Sequence, residues 1–154
     1  MAEDHAAQHR TMASLLFNEA WAGLERPDRE PGDERIMLAA ALGSWYHWRQ
    51  VGTPREFAVS DWQVARVFAV LGDARRAAEF AESSRRWCAE HGLGPFLTGY
   101  AYEALARAAI AGGDLSLARR HLASATTRAG KITDTDDRAL LDADLGELDA
   151  YVVA

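Results

Sequence analysis

An all-α domain of about seven antiparallel helices is predicted for this chain, and three observations predict it. Every long segment spaces its apolar residues three and four apart, as a helix face requires, and none alternates as a half-buried strand does. Glycine and proline clusters of the kind that end helices interrupt those segments. At 154 residues, 49% of them hydrophobic, the chain is long enough to bury one sizeable core, so residues 1–154 are expected to form a single domain.

The first helix is predicted from about Asp4 to Glu25, with Leu16, Ala20 and Leu24 on one stripe and Phe17 and Trp21 beside it. Arg26 to Asp33, with two prolines and a glycine, break the chain. A second helix follows from about Asp33 to Val51, and Gly52 ends it. The third opens on Thr53-Pro54-Arg55-Glu56, in which Thr53 is an N-cap, Pro54 takes the first helical position and Glu56 completes a capping box. Gly72-Asp73 turns the chain into a fourth helix, which ends at Gly92 and Gly94-Pro95. Gly112-Gly113-Asp114 separates the fifth from the sixth. A seventh, starting near Asp134 and reaching about residue 152, puts Leu141, Leu145, Leu148 and Val152 on one face and mostly acids on the others, the pattern of a terminal cap.

Charge and composition narrow the function classes. A formal charge of -6 argues against non-specific nucleic-acid binding, and the pairs Arg75-Arg76, Arg85-Arg86 and Arg119-Arg120 read as solvated helix surface. The longest apolar stretch, Ile36 to Trp48, is too short to span a bilayer and is interrupted by Ser44 and His47, so no membrane partner is expected. Cys88, the only cysteine, cannot form an internal disulfide, and no N-terminal segment resembles a signal peptide; a cytoplasmic location is expected. Basic residues are almost all arginine, with Lys131 the only lysine, the bias of a GC-rich bacterial genome.

The third to sixth helices contain a repeat. Setting Gly72-Asp73 over Gly113-Asp114, an offset of 41 residues, also sets Ala65 over Ala106 and Ala77 over Ala118. Both units, about 59–91 and 100–129, are helix, tight turn, helix. These small residues at the helix crossing, with Gly-Asp at the turn, resemble the tetratricopeptide repeat, and the second copy does so more fully through Leu105, Leu122 and Ala125. The sequence departs from that pattern in its period, longer than the usual length of about 34, in Ala109 where the first copy has Phe68, and in Ser84 at the last small position.

The resemblance implies a right-handed superhelical array in which the first helix of each pair lines a concave groove. That groove would then present Val59, Trp62, Arg66 and Ala69 from the third helix and Tyr100, Glu103, Arg107 and Ile110 from the fifth. Arg66 and Arg107, equivalent under the repeat, would suit an anionic or carboxylate-bearing ligand through their planar donor forks. The plainer alternative is that Glu103 and Arg107, four apart, pair with each other on the helix surface. The leading expectation is a protein- or peptide-binding module using Trp62, Arg66, Tyr100, Glu103 and Arg107.

A second expectation centres on His47, which follows Ile36, Ala40 and Gly43 along one stripe of the second helix between Trp45 and Trp48. Ala39, Ala40, Gly43 and Ser44 are small enough to open a notch there, and a buried imidazole needs a hydrogen-bond partner, a carbonyl or hydroxyl in the usual core arrangement. This is the alternative: a small-molecule-binding protein or cofactor-independent enzyme with an interhelical pocket around His47. Asn18, a polar residue in an apolar stretch of the first helix, belongs to the same class. Self-association through an exposed face is compatible with either.

Other constellations are weaker. His5 and His9 have the spacing of two metal ligands on one helix face but lack a third, and read as solvated residues of a frayed terminus. Cys88 reads as a small core residue. Asp134, Asp136, Asp137, Asp142 and Asp144 lack the glycine and glutamate of a calcium loop and read as a solvated acidic helix. No phosphate loop, dinucleotide fingerprint or zinc-ligand set occurs, so no metal and no cofactor is expected.

Overall fold

The computed structural model describes residues 1–153, Ala2 by its backbone alone, and those residues form seven helices and no strand. They are α1 (Ala2–Glu25), α2 (Pro31–Val51), α3 (Pro54–Val70), α4 (Ala74–His91), α5 (Pro95–Ala111), α6 (Leu115–Ala129) and α7 (Thr135–Val153). No helix among the described residues is long and apolar enough to cross a membrane.

Local chemistry sets the boundaries. At α3 the expected capping box is present, the Thr53 amide donating to Glu56 Oε2 at 2.8 Å. A second box moves the start of α2 two residues ahead of the prediction: the Glu30 amide donates to Asp33 Oδ2 at 2.9 Å and Pro31 occupies the first turn. Proline and glycine there begin the helix rather than break the chain, because the first turn needs no amide from proline. Asp73 and Asp114 cap α4 and α6 alike, accepting from the Arg76 and Leu117 amides at 3.0 and 2.9 Å. The turns before them repeat bond for bond. The Asp73 amide reaches the Phe68 carbonyl and the Asp114 amide the Ala109 carbonyl, each at 2.9 Å, over Gly72 at φ 80° and Gly113 at φ 77°.

Consecutive helices pack as antiparallel hairpins. The contact faces are alanine-rich: Ala13 and Ala20 in α1, Ala40 and Ala41 in α2, Ala65 in α3, Ala77 and Ala81 in α4, Ala106 in α5, and Ala118 and Ala125 in α6 are all at most 3% exposed. Side chains this short let helix axes approach closely. Between hairpins, α1, α3, α5 and α7 each approach the next within 8 Å between Cα atoms, whereas no such approach joins α2, α4 and α6 among the described residues. Where α2 and α4 meet, they meet through large side chains, the Trp45 and Phe80 rings lying 6.1 Å apart. Helices close on one side and spread on the other curve the array, so the odd-numbered helices form its concave face.

The last member of that face is α7. Leu141, Leu145, Leu148 and Val152, none more than 4% exposed, seal it onto α5 and α6. Leu141 packs directly over Gly99, where a Cβ would stand 2.5 Å from its methyl group.

Gly113→Val is expected to cost at least about 1 kcal/mol, because a β-branched residue is strained at this positive φ. Gly130→Ala, at φ -60°, is the control and should leave the midpoint of urea unfolding nearly unchanged.

Candidate functional site

Four helices of the concave face line an open cavity of about 590 Å3. Its walls are aromatic: Trp21 from α1, Trp62 from α3, and Phe96 and Tyr100 from α5, with Leu140, Ala143 and Asp144 supplied by α7. The rings form a continuous run, with centroids 5.6 Å apart for Trp21 and Trp62, 5.4 Å for Trp62 and Tyr100, and 5.1 Å for Tyr100 and Phe96. None is fully buried, so each offers part of its surface to a ligand.

Beneath this wall lies a charged network. Glu103, fully buried, accepts from Trp62 Nε1 at 3.3 Å and from Arg107 Nε, and stands 3.7 Å from Arg66 Nη1. Asp144 of α7 closes the network from the other side, accepting the Tyr100 hydroxyl at 2.8 Å and lying 3.7 Å from Arg107 Nη2 and 4.0 Å from Arg66 Nη1. Two guanidinium groups thus face two carboxylates. Burial works to lower the Arg107 pKa, but the Glu103 carboxylate outweighs it and the net shift is upward. Burial, reinforced by Asp144, raises the Tyr100 pKa, so this hydroxyl keeps its proton and acts as a donor. Arg66 Nη1 and Arg107 Nη2 remain buried without a hydrogen-bond partner among the described residues, the ion pairs at 3.7–4.0 Å being too long for one.

The structure therefore brings Trp62, Arg66, Tyr100, Glu103 and Arg107 together but gives them unequal positions. Trp62 and Tyr100 line the cavity. Glu103, expected on an outward groove position, is instead covered by Trp62 and the arginines, and Arg107 pairs with it as the i,i+4 spacing allows. Arg66 lies over the Trp21 ring, its guanidinium carbon 5.1 Å from the centroid, beneath the cavity rather than on its lining.

His47 lies elsewhere. It is half-buried between α1 and α2, where the Nδ1 atoms of His47 and His9 are 2.8 Å apart and one ring donates to the other. It does not line the aromatic cavity. Its partner is thus an imidazole rather than a carbonyl or hydroxyl, and His9 belongs to a formed helix rather than a frayed end, because α1 starts at Ala2 and packs along α2. The notch at the small residues of α2 is filled: Leu16 packs over Gly43, and Ser44 donates to the Ala13 carbonyl at 2.8 Å. Burial and the facing His9 lower the His47 pKa. Asn18 is exposed and, among the described residues, caps no buried network. It lines a shallow depression of about 470 Å3 with Phe17, Trp48, Arg55, Glu56 and Val59. Arg55 and Val59 also border the aromatic cavity, so the two depressions adjoin.

A second buried carboxylate holds the outer side. Asp61, 1% exposed, accepts from Trp45 Nε1 and Arg49 Nη2 at 2.7 Å and from Ser83 at 2.6 Å, joining α2, α3 and α4. Burial nevertheless raises its pKa. Among the described residues no cluster of three His, Cys, Asp or Glu side chains is placed to hold a metal ion.

Sequence reasoning passed over the contribution of α7. In the sequence Asp144 reads as one of several solvated acids, yet the 41-residue step from Trp62 to Glu103 leads from Glu103 to Asp144. Extending the repeat into the last helix would have marked it. Set against known proteins, the chain matches no family model, no curated protein and no solved structure.

Glu103→Ala should cost about 3 kcal/mol in urea unfolding by leaving buried guanidinium groups uncompensated. Asp144→Ala, at a quarter-exposed position, should cost under about 1 kcal/mol. Because folding lowers the His47 pKa, the unfolded chain binds more protons near pH 6, and stability is expected to fall as pH drops from 7.5 towards 5. His121, lowered by burial and by Arg120, acts in the same sense. His47→Gln should therefore flatten the pH dependence of the unfolding midpoint in part.

Proposed function

We propose that this chain is a non-enzymatic, tetratricopeptide-like binding module whose concave face takes an extended peptide or protein tail, with a bulky apolar side chain anchored between Trp21, Trp62, Phe96 and Tyr100. The observation that carries this reading is the aromatic cavity on the face of the odd-numbered helices. Its lining is mostly apolar, and rigid aromatic surface of this kind supplies binding energy at small entropic cost.

Two features favour a peptide over a compact small molecule. The cavity continues past Arg55 and Val59 into the Asn18 and Trp48 depression, giving a path longer than one compact ligand fills. The neighbouring charges are also balanced within the protein: Arg66 and Arg107 already face Glu103 and Asp144, so a ligand needs no strong charge of its own to enter. This weakens the anionic-ligand expectation and favours apolar anchoring with main-chain polar contacts along the rim.

Selection from a random peptide library, followed by titration monitored through tryptophan fluorescence, tests the reading. Selected peptides should carry an aromatic or large aliphatic residue. Trp62→Ala should weaken them at least about thirtyfold, roughly 2 kcal/mol, with helical content unchanged by circular dichroism. Asn18→Ala should weaken a peptide several-fold, leave a compact ligand unaffected, and so separate the two. Peptides that bind Trp62→Ala as well as the parent protein reject the groove, and loss of binding in His47→Gln alone would return attention to the α1–α2 interface.

A further inference from the structure

A separate cavity of about 490 Å3 lies where α4 turns into α5 and α6 turns towards α7. None of its lining residues borders the aromatic cavity. Arg85, Arg128 and Lys131 converge on it from α4, α6 and the following turn, with Thr98 and Tyr102 of α5 between them. In a chain of net charge -6 this concentration of positive charge is local.

Its charges are unequally compensated. Arg85 is bound by Glu82 through Nε at 2.8 Å and Nη2 at 2.6 Å. Arg128 and Lys131 make no ion pair among the described residues. Arg128 is half-buried, with its guanidinium carbon 5.9 Å from the centre of the Tyr102 ring. Two uncompensated cations therefore border one cavity. The start of α5 also borders it through Gly94 and Pro95, which brings the positive end of that helix's dipole near the cavity. Cys88 lies in the lining as a thiol whose pKa burial raises, and so brings no opposing negative charge.

We propose that this cavity binds the phosphoryl group of a small phosphate monoester, with Arg128 and Lys131 as its charge partners and Arg85, Thr98 and Tyr102 as further donors. A phosphate monoester carries about -1.5 to -2 charge at pH 7 and three strong acceptor oxygens, matching two free cations and several converging donors. A carboxylate offers one charge and two oxygens and leaves part of that set unused. The volume exceeds what a phosphate group fills, which leaves space beside Tyr102 for the body of the molecule.

The test is titration of the intact protein with inorganic phosphate, glycerol 3-phosphate and acetate, each at constant ionic strength set with sodium chloride. It is read by amide chemical shifts and by thermal midpoint. Glycerol 3-phosphate is expected to shift the Gly94, Thr98 and Lys131 amides saturably and to raise the midpoint, with inorganic phosphate binding similarly or more weakly and acetate at least tenfold more weakly. Arg128→Gln combined with Lys131→Gln should weaken the monoester at least tenfold while circular dichroism stays unchanged. Arg119→Gln combined with Arg120→Gln removes equal charge elsewhere and should leave binding intact. Non-saturating shifts, equal effects of acetate, equal loss in both double variants, or binding of inorganic phosphate with the monoester excluded would each overturn the proposal. If the Arg128/Lys131 variant does not fold, competition of the monoester with chloride and acetate on the parent protein, mapped to those amides, decides alone.

Discussion

The structure depends on how closely its helices approach, and alanine sets that distance. Where facing side chains are methyl groups, two helices meet nearly backbone to backbone, and little room remains between them for anything large. All five tryptophans are accordingly only part-buried, and the fully buried larger side chains are Met37, Leu141, Val64 and Val67 together with the polar Gln63, Glu103 and Asp61. Some aromatic surface packs within a hairpin, Phe68 of α3 stacking on Phe80 of α4 at 5.8 Å, but much of it gathers between hairpins. On the outer side it surrounds Arg49, whose guanidinium carbon lies 4.7 Å from the Trp45 ring centre and 4.6 Å from that of Phe57. On the inner side it walls the groove.

The same constraint explains the two buried carboxylates. Asp61 and Glu103 lie in α3 and α5 where one hairpin meets the next, and each is held by an arginine and an indole N–H. A buried ion is costly unless its oxygens are satisfied, and these arrangements satisfy them with side chains from at least two helices. Each then fixes the register of one helix against the next, which apolar alanine faces alone specify weakly. On the concave side that network also forms the floor beneath Trp62 and Tyr100, so the element that orients the hairpins supports the aromatic wall. Gln63 adds to the same alignment, donating to the Phe17 carbonyl of α1 at 2.9 Å.

Much of the fold was legible in the sequence because its signals are local. A capping box such as Thr53 with Glu56 acts across three residues, and a glycine turn such as Gly72-Asp73 across five; both are decided before any helix finds its neighbour. Even the misplaced start of α2 is local, since Glu30 and Asp33 cap each other and Pro31 suits a first turn. The 41-residue step is equally a property of the sequence, and it sets α5 over α3 from end to end. Carried one step further, from Glu103 to Asp144, it reaches α7.

The sequence by itself determined the helices, their turns and the repeat of the hairpin, because hydrogen bonds and torsion preferences within a few residues settle them. Only the tertiary structure decided which polar groups meet. Glu103 and Arg107 share a helix, so their pairing could be anticipated, but the burial of Glu103 requires Trp62 from α3 and the closure of its network requires Asp144 from α7. His47 meets His9 because α1 lies antiparallel to α2 in one register, and Arg85 borders the same cavity as Arg128 and Lys131 because two turns fall at the same end of the array. Helical spacing places a side chain on a face; stacking of the hairpins determines what that face confronts.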